Sequence, residues 1–247
     1  MIARLYKIAI LVLLVNVLAG CSQRVNAIAE MGRAFFTEPE PILLSLDEIR
    51  ALDYAALYVQ LDNSPRILAV LNQASENQLT WRIGSRDFLY SQNGRIVGTE
   101  SLTDFPQQTS ARGQDPLSCF RKYLQPNSAI ICPDQWRRKV TLQQADGSNA
   151  VLQRVWIKST IMRTEKVESI TLLSGITVPA FRIIETGEWN VDSTTKKPIL
   201  FENIFWQHAT NGRIVKTQQF ISPAHGYLLT EEVVPFIGDF SVESDES

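Results

Sequence analysis

Two histidines, three cysteines, five tryptophans and one compact run of cations are the groups in this 247-residue chain with chemistry to offer. His208 and His225 are the only imidazoles, so general acid–base work near neutral pH has few candidates. His208 stands beside an Asn-Gly corner and His225 between Pro223 and Gly226, a setting that predicts exposed loops for both. No Gly-x-Ser-x-Gly elbow offers a nucleophile. No glycine-rich loop is spaced to cradle a phosphate, and no Cys/His spacing fits a metal. Glycoside hydrolysis needs two carboxylates held across a cleft. Glu185, Glu188 and Asp192 form the densest acidic cluster, and residues of that kind are ordinarily solvated. The chain therefore reads as non-enzymatic, with no cofactor and no metal.

Binding chemistry is better represented. Trp136-Arg137-Arg138-Lys139 places an indole beside three cations, a combination that meets the apolar face and the acidic groups of a polysaccharide or a lipid phosphate. The same run also fits a solvated loop edge, and most of the five tryptophans fit a core. Cys119 and Cys132 lie in a proline-bearing segment, and in an oxidising compartment their spacing reads as a local disulfide. Closing a loop of that size stabilises the fold by about 3 kcal/mol in the chain-entropy account.

The third cysteine closes a signal. Arg4 and Lys7 form a basic start, Ile8 to Val17 an apolar run interrupted only by Asn16, and Leu18-Ala19-Gly20-Cys21 follows. The apolar stretch is short for a membrane span. Its ending resembles the bacterial lipobox, whose cysteine is diacylglycerylated and becomes the mature N-terminus; the alternative is an ordinary cleaved signal with a chance cysteine. Ser22, where an aspartate would favour inner-membrane retention, points to the periplasmic face of the outer membrane. Loss of residues 1–20 removes Arg4 and Lys7 and no acid, which moves the formal charge from −2 to −4. A mildly acidic chain in that compartment excludes a nucleic-acid partner.

The elements that must position these groups are mostly strands. Ile28, Met31, Phe35 and Phe36 recur at helical spacing, predicting a short amphipathic helix that either rests on lipid or packs on the body. Ser45 and Glu48 form a capping box that starts a second short helix near Leu46. Strands are predicted at 54–61, 66–73, 78–83, 86–92 and 95–102. After a Pro/Gly/Cys-bearing interruption from about 103 to 134, they resume at 136–144, 150–164, 166–174, 177–189, 199–208, 213–221 and 227–236. Hairpin-length connections make neighbouring strands antiparallel. The organisation is a signal at 1–20, a lipidated linker at 21–45, one β-rich domain at 46–237 and an acidic tail at 238–247 too poor in apolar groups to order itself. Asn93-Gly94-Arg95-Ile96-Val97 recurs unchanged as Asn211-Gly212-Arg213-Ile214-Val215. Asn-Gly suits a tight hairpin corner, so the repeat is either shared turn chemistry or a duplicated half-sheet.

Taken together, these residues resemble the YjbF/GfcB/YmcC group of bacterial lipoproteins, also called group 4 capsule polysaccharide lipoproteins. The matching features are the lipobox cysteine, the short helix before Tyr54-Ala55, Trp81 followed by Asp87, Gly94-Arg95-Ile96-Val97 with Thr99, Phe205-Trp206 with Gly212, and Thr217-x-Gln219. The resemblance is strongest over 46–100 and 199–223 and thin between about 103 and 165. It implies a mainly antiparallel all-β meander curled into a half-barrel, similar to the carriers LolA and LolB. It also implies an outer-membrane lipoprotein serving exopolysaccharide or capsule production, with a glycan or an export-machinery protein as partner. A carrier or acceptor of lipoprotein acyl chains is the alternative that the fold suggests. The family offers no catalytic residues to transfer. If Cys21 carries the anchor, Cys21→Ser should leave the protein as uncleaved precursor or release it from membranes; processed variant still fractionating with the outer membrane would contradict the lipobox reading.

Overall fold

A computed structural model describes residues 42–238 apart from 63, 76, 125–130, 147–148 and 192–196. Cys21, the helix expected at 25–36, Asp192 and the acidic tail beyond 238 lie outside the described residues. Twelve strands form one antiparallel sheet that curls into a nearly closed half-barrel. They are β1 (Ala56–Leu61), β2 (Ile67–Ser75), β3 (Gln78–Arg82), β4 (Phe88–Gln92), β5 (Arg95–Glu100), β6 (Pro106–Ala111), β7 (Gln135–Asp146), β8 (Asn149–Thr171), β9 (Thr177–Val191), β10 (Ile199–His208), β11 (Ile214–Ser222) and β12 (Gly226–Val234). Among the described residues two short helices accompany them, α1 (Leu46–Arg50) and α2 (Pro116–Lys122).

The spatial order, β5-β4-β3-β2-β1-β12-β11-β10-β9-β8-β7-β6, is two meanders joined where the first strand pairs with the last. Its two edges are therefore β5 and β6, consecutive in the chain, and the link between them crosses the seam of the half-barrel. Among the described residues no backbone ladder joins these edges. Side chains do so instead: Thr99 Oγ1 donates to the Pro106 carbonyl at 2.9 Å, and Gln107 Nε2 donates to the Leu102 carbonyl at 2.8 Å. Gln219 of β11 reaches the exposed edge of β5, accepting from Ile96 N at 3.0 Å and donating to the Gly94 carbonyl at 2.9 Å. An edge whose backbone groups are occupied in this way no longer templates another strand.

The segment read as an interruption is thus an integral part of the sheet. β6 is rich in Gln, Thr and Ser, lacks an alternating apolar pattern, and owes its strand form to pairing with β7. α2 begins at Asp115, whose carboxylate caps Leu117 N at 3.0 Å, with Pro116 at the first helical position, where a missing N–H costs nothing. The strands expected at 150–164 and 166–174 are one 23-residue strand, β8, with its register shifted between Arg163 and Val167. A bulge inserts residues without ending the ladder, so the sequence shows a break where the backbone continues.

α1 carries both reciprocal capping bonds expected of Ser45 and Glu48. It buries Ile49 against Ala56, Tyr58 and Val233 on the convex face. The concave face of β1–β5 packs Val59, Ala69, Trp81, Leu89 and Ile96 with Ile221 and Leu228 from the far end of the chain.

The two Asn-Gly copies are both hairpin corners of this sheet but differ in shape. Asn93 and Gly94 have φ of 47° and 81° and form the whole two-residue turn between β4 and β5. The second copy sits in a longer loop in which only Gly212 has positive φ, and Asn211 Oδ1 accepts from Arg213 N at 3.1 Å. A Cβ on Gly94 would lie 2.5 Å from the Cβ of Ile214, so the first corner abuts the second copy directly. Gly94→Ala should therefore cost about 3 kcal/mol in urea unfolding, from left-handed strain plus overpacking. Gly113→Ala, at φ 84° with open space around it, should cost only about 1 kcal/mol.

Candidate functional site

Inward-facing positions of β7 to β10 follow a common plan in which one polar residue lies between apolar ones. β7 contributes Trp136, Arg138 and Val140; β8 contributes Ile157, Ser159 and Ile161; β10 contributes Phe201, Asn203 and Phe205. In β9, Glu185 follows Ile183 and precedes Gly187, where a Cβ would stand 2.5 Å from the Phe201 ring. The result is a polar layer between two apolar clusters, Val140–Ile157–Trp189–Phe201 on one side and Trp136–Ile161–Ile183–Phe205 with Leu117 of α2 on the other.

Glu185 is the centre of that layer and is wholly buried. Its Oε1 accepts from Arg138 Nη1 at 2.5 Å, and its Oε2 from Arg95 Nη1 at 2.6 Å and Asn203 Nδ2 at 2.8 Å. Arg95 arrives from β5 across the seam and also meets Asp115 at 2.7 Å, the same carboxylate that caps α2. Both guanidinium groups lie over the Trp136 ring, at 4.6 and 4.8 Å from its centroid. Burial by itself raises a carboxyl pKa, but here the attraction of Arg138 and Arg95 outweighs it and holds Glu185 well below the carboxylate range. Arg95 is stabilised as a cation despite its burial by Asp115 and Glu185, whereas burial lowers Arg138, which has Glu185 as partner and Arg95 as a repelling neighbour.

The expected solvated state of Glu185 is thus overturned, while Glu188 is exposed. An acid at the same phase as Phe181, Ile183 and Trp189 was the available signal, since that phase faces inward. His208 and His225 are half-buried rather than exposed. His208 ends β10, where burial and then Arg213 push its pKa below the ordinary value. His225 Nε2 donates to the Thr103 carbonyl at 3.0 Å, and its ring rests on Phe105. Cys119 and Cys132 are joined, with Cα atoms 5.6 Å apart, and the bridge ties α2 to the chain entering β7.

Trp136-Arg137-Arg138-Lys139 is a strand, not a loop, and alternation divides it. Trp136 and Arg138 are 6% exposed and face inward, so they belong to the ionic layer; Arg137 is exposed and Lys139 half-buried on the outer face. That outer face opens onto a groove of about 990 Å³, bordered by Arg112, Arg137, Lys139, Trp156 and Lys158. Among the described residues no group of His, Cys, Asp or Glu is placed to hold a metal ion.

Loss of the central carboxylate strands two buried cations. Glu185→Gln should destabilise the protein by about 3–5 kcal/mol in chemical unfolding. A carboxyl held below its ordinary 4.5 contributes stability that is fully present above that value and is lost as pH falls toward the folded-state pKa. Stability of the parent protein should therefore fall below about pH 4.5, and Glu185→Gln should flatten that acid limb.

Comparison with known proteins places this architecture. The family model "Group 4 capsule polysaccharide lipoprotein gfcB, YjbF" matches residues 28–233, including the segment 103–165 where the motif resemblance is thin. The chain is 24% identical over 207 residues to the uncharacterized lipoprotein GfcB of Escherichia coli K12, an alignment covering 83% of this chain and 87% of that one. It is 29% identical over 108 residues to the uncharacterized lipoprotein YjbF of the same organism, covering 43% of this chain and 50% of that one. The crystal structure of the lipoprotein YmcC, also from Escherichia coli K12, shares the fold with a TM-score of 0.61 at 21% identity, over 78% of this chain and 90% of that one. With a family model matched from the approach to α1 through almost all of β12, this chain belongs to the YjbF family of group 4 capsule polysaccharide lipoproteins.

Proposed function

We propose that the protein is a lipid-anchored accessory factor of capsule or exopolysaccharide export, held at the periplasmic face of the outer membrane, that binds glycan without cleaving it. The observation that carries this reading is the occupied interior of the half-barrel. Beneath β7–β10 the concave side is filled by the Arg95–Glu185–Arg138 layer and the apolar clusters around it, where the void beside Arg95, Arg138 and Asn203 measures only about 20 Å³, and the cavity beside Leu79, Trp81, Ile96 and Val215 holds about 90 Å³, small against the ~300 Å³ lower end of ligand clefts. An acyl-chain carrier needs a continuous aliphatic lining with room inside, and paired guanidinium groups are a poor lining for an alkyl chain. A glycosidase needs two carboxylates facing a cleft, one of them able to carry a proton. Glu185 and Asp115, the two acids that meet the ionic layer, are both committed to Arg95. The large open surface lies outside, on the basic groove.

Purified protein passed over the immobilised exopolysaccharide of its own source should be retained, with retention falling as salt rises because exposed charge pairs are screened over a Debye length of about 8 Å. The polymer should keep its chain length. Release of reducing ends would favour an enzyme, and co-purification of acyl chains without polymer retention would favour the carrier.

A further inference from the structure

The outer face of the β7–β8 ladder carries charges that the fold itself does not neutralise. Arg137 and Lys158 are directly opposite in the ladder, and Lys139 is opposite Trp156. Like charges at directly opposed positions destabilise a sheet, so this pair is held against its own repulsion. Glu188 lies opposite Lys158 on β9, yet among the described residues neither Arg112, Arg137, Lys139 nor Lys158 forms an ion pair with any carboxylate. Trp156 is 54% exposed, which leaves a flat apolar surface uncovered among the cations, with Lys139 Nζ 5.9 Å from its ring centroid. The groove in front of them, about 990 Å³, is at the upper end of the range for small-molecule clefts, about 300–1,000 Å³.

We infer that Arg137, Lys139 and Lys158 around Trp156 form a subsite for a carboxylate-bearing sugar ring of an acidic polysaccharide. The inference rests on the glycan-binding reading above and names its site and its ligand class. The indole requires a ligand with a flat apolar face, which a sugar ring has and a free anion lacks. The cations require acidic groups beside that face. A guanidinium fork donates two parallel hydrogen bonds to a carboxylate, and the opposing lysine shares the same anion, which removes the Arg137–Lys158 repulsion on binding. Along β7, Arg137 and Lys139 are two residues apart, about 7 Å, so the site spans more than one sugar and suits a polymer segment rather than a monosaccharide.

The test is calorimetric titration of the purified protein with oligogalacturonate, with dextran sulfate, neutral dextran and phosphatidylglycerol vesicles as comparison probes. Oligogalacturonate should bind, and neutral dextran should not. Arg137→Gln, Lys158→Gln and Trp156→Ala should each weaken binding on the order of tenfold, the worth of one charged hydrogen bond or stacking contact. Arg82→Gln, an exposed cation on β3, should leave it unchanged. All four positions are exposed, and matching thermal unfolding will show that the variants fold. Absence of oligogalacturonate binding, or binding indifferent to the three groove substitutions, would overturn the inference. So would tighter binding of dextran sulfate through the same residues, which would indicate a general anion patch, or preferential capture of the vesicles, which would indicate a membrane surface. If the native exopolysaccharide is retained by the parent protein and equally by the groove variants, the subsite is wrong while the glycan-binding reading stands; if the parent protein retains none, that reading itself fails.

Discussion

The Glu185 carboxylate and its two arginines set the terms for the rest of the molecule. A charge taken from water into the interior costs several kcal/mol unless it is paired and its remaining hydrogen-bonding capacity is filled. Glu185 meets that requirement only when Arg138, two strands away on β7, and Arg95 from the opposite edge arrive together. Arg95 belongs to β5, so its approach demands that the sheet curl until β5 stands near β6 and β9 at once. The seam contacts of Thr99, Gln107 and Gln219, and the capping of α2 by Asp115, hold the curled arrangement that this ion cluster needs. Buried ion clusters add little net stability compared with a well-packed apolar layer, but a misregistered barrel would leave one of these charges alone, so the layer selects a single closure.

In a curled sheet the concave face is the usual ligand site, yet beneath β7–β10 it is spent on closing the barrel. The large open groove lies on the convex side, where alternation places every second residue of β7 and β8. One tetrapeptide thus supplies both layers: Trp136 and Arg138 support the interior, and Arg137 and Lys139 face the solvent groove. The residues that carry the family pattern behave similarly. Gly94, Thr99, Thr217 and Gln219 sit at the seam, and Trp81 donates its indole N–H to Ser91 within the core. Their common role in this chain is to close and brace the half-barrel.

Much of the fold was legible from local chemistry. Runs of β-branched and aromatic residues broken by turn chemistry located most strands to within a few residues, Asn93-Gly94 specified a two-residue corner through positive φ, and Ser45 with Glu48 started α1. The spacing of Cys119 and Cys132 in an exported chain pointed to their bridge. Each of these depends on interactions between residues close in sequence, so the sequence carries them directly. β6 was not legible, because its polar strand exists only through pairing with β7. The continuity of β8 was hidden by its bulge. The candidate site divided in the same way: sequence gathered Trp136 to Lys139 as one basic cluster but could not assign each side chain to a face. Trp156 and Lys158 joined Arg137 and Lys139 only through the register of β8 against β7. The burial of Glu185 depended on partners 90 and 47 residues away. Long-range pairing and register are decided by closure of the whole sheet, and no local pattern encodes which distant strand will supply the opposing charge.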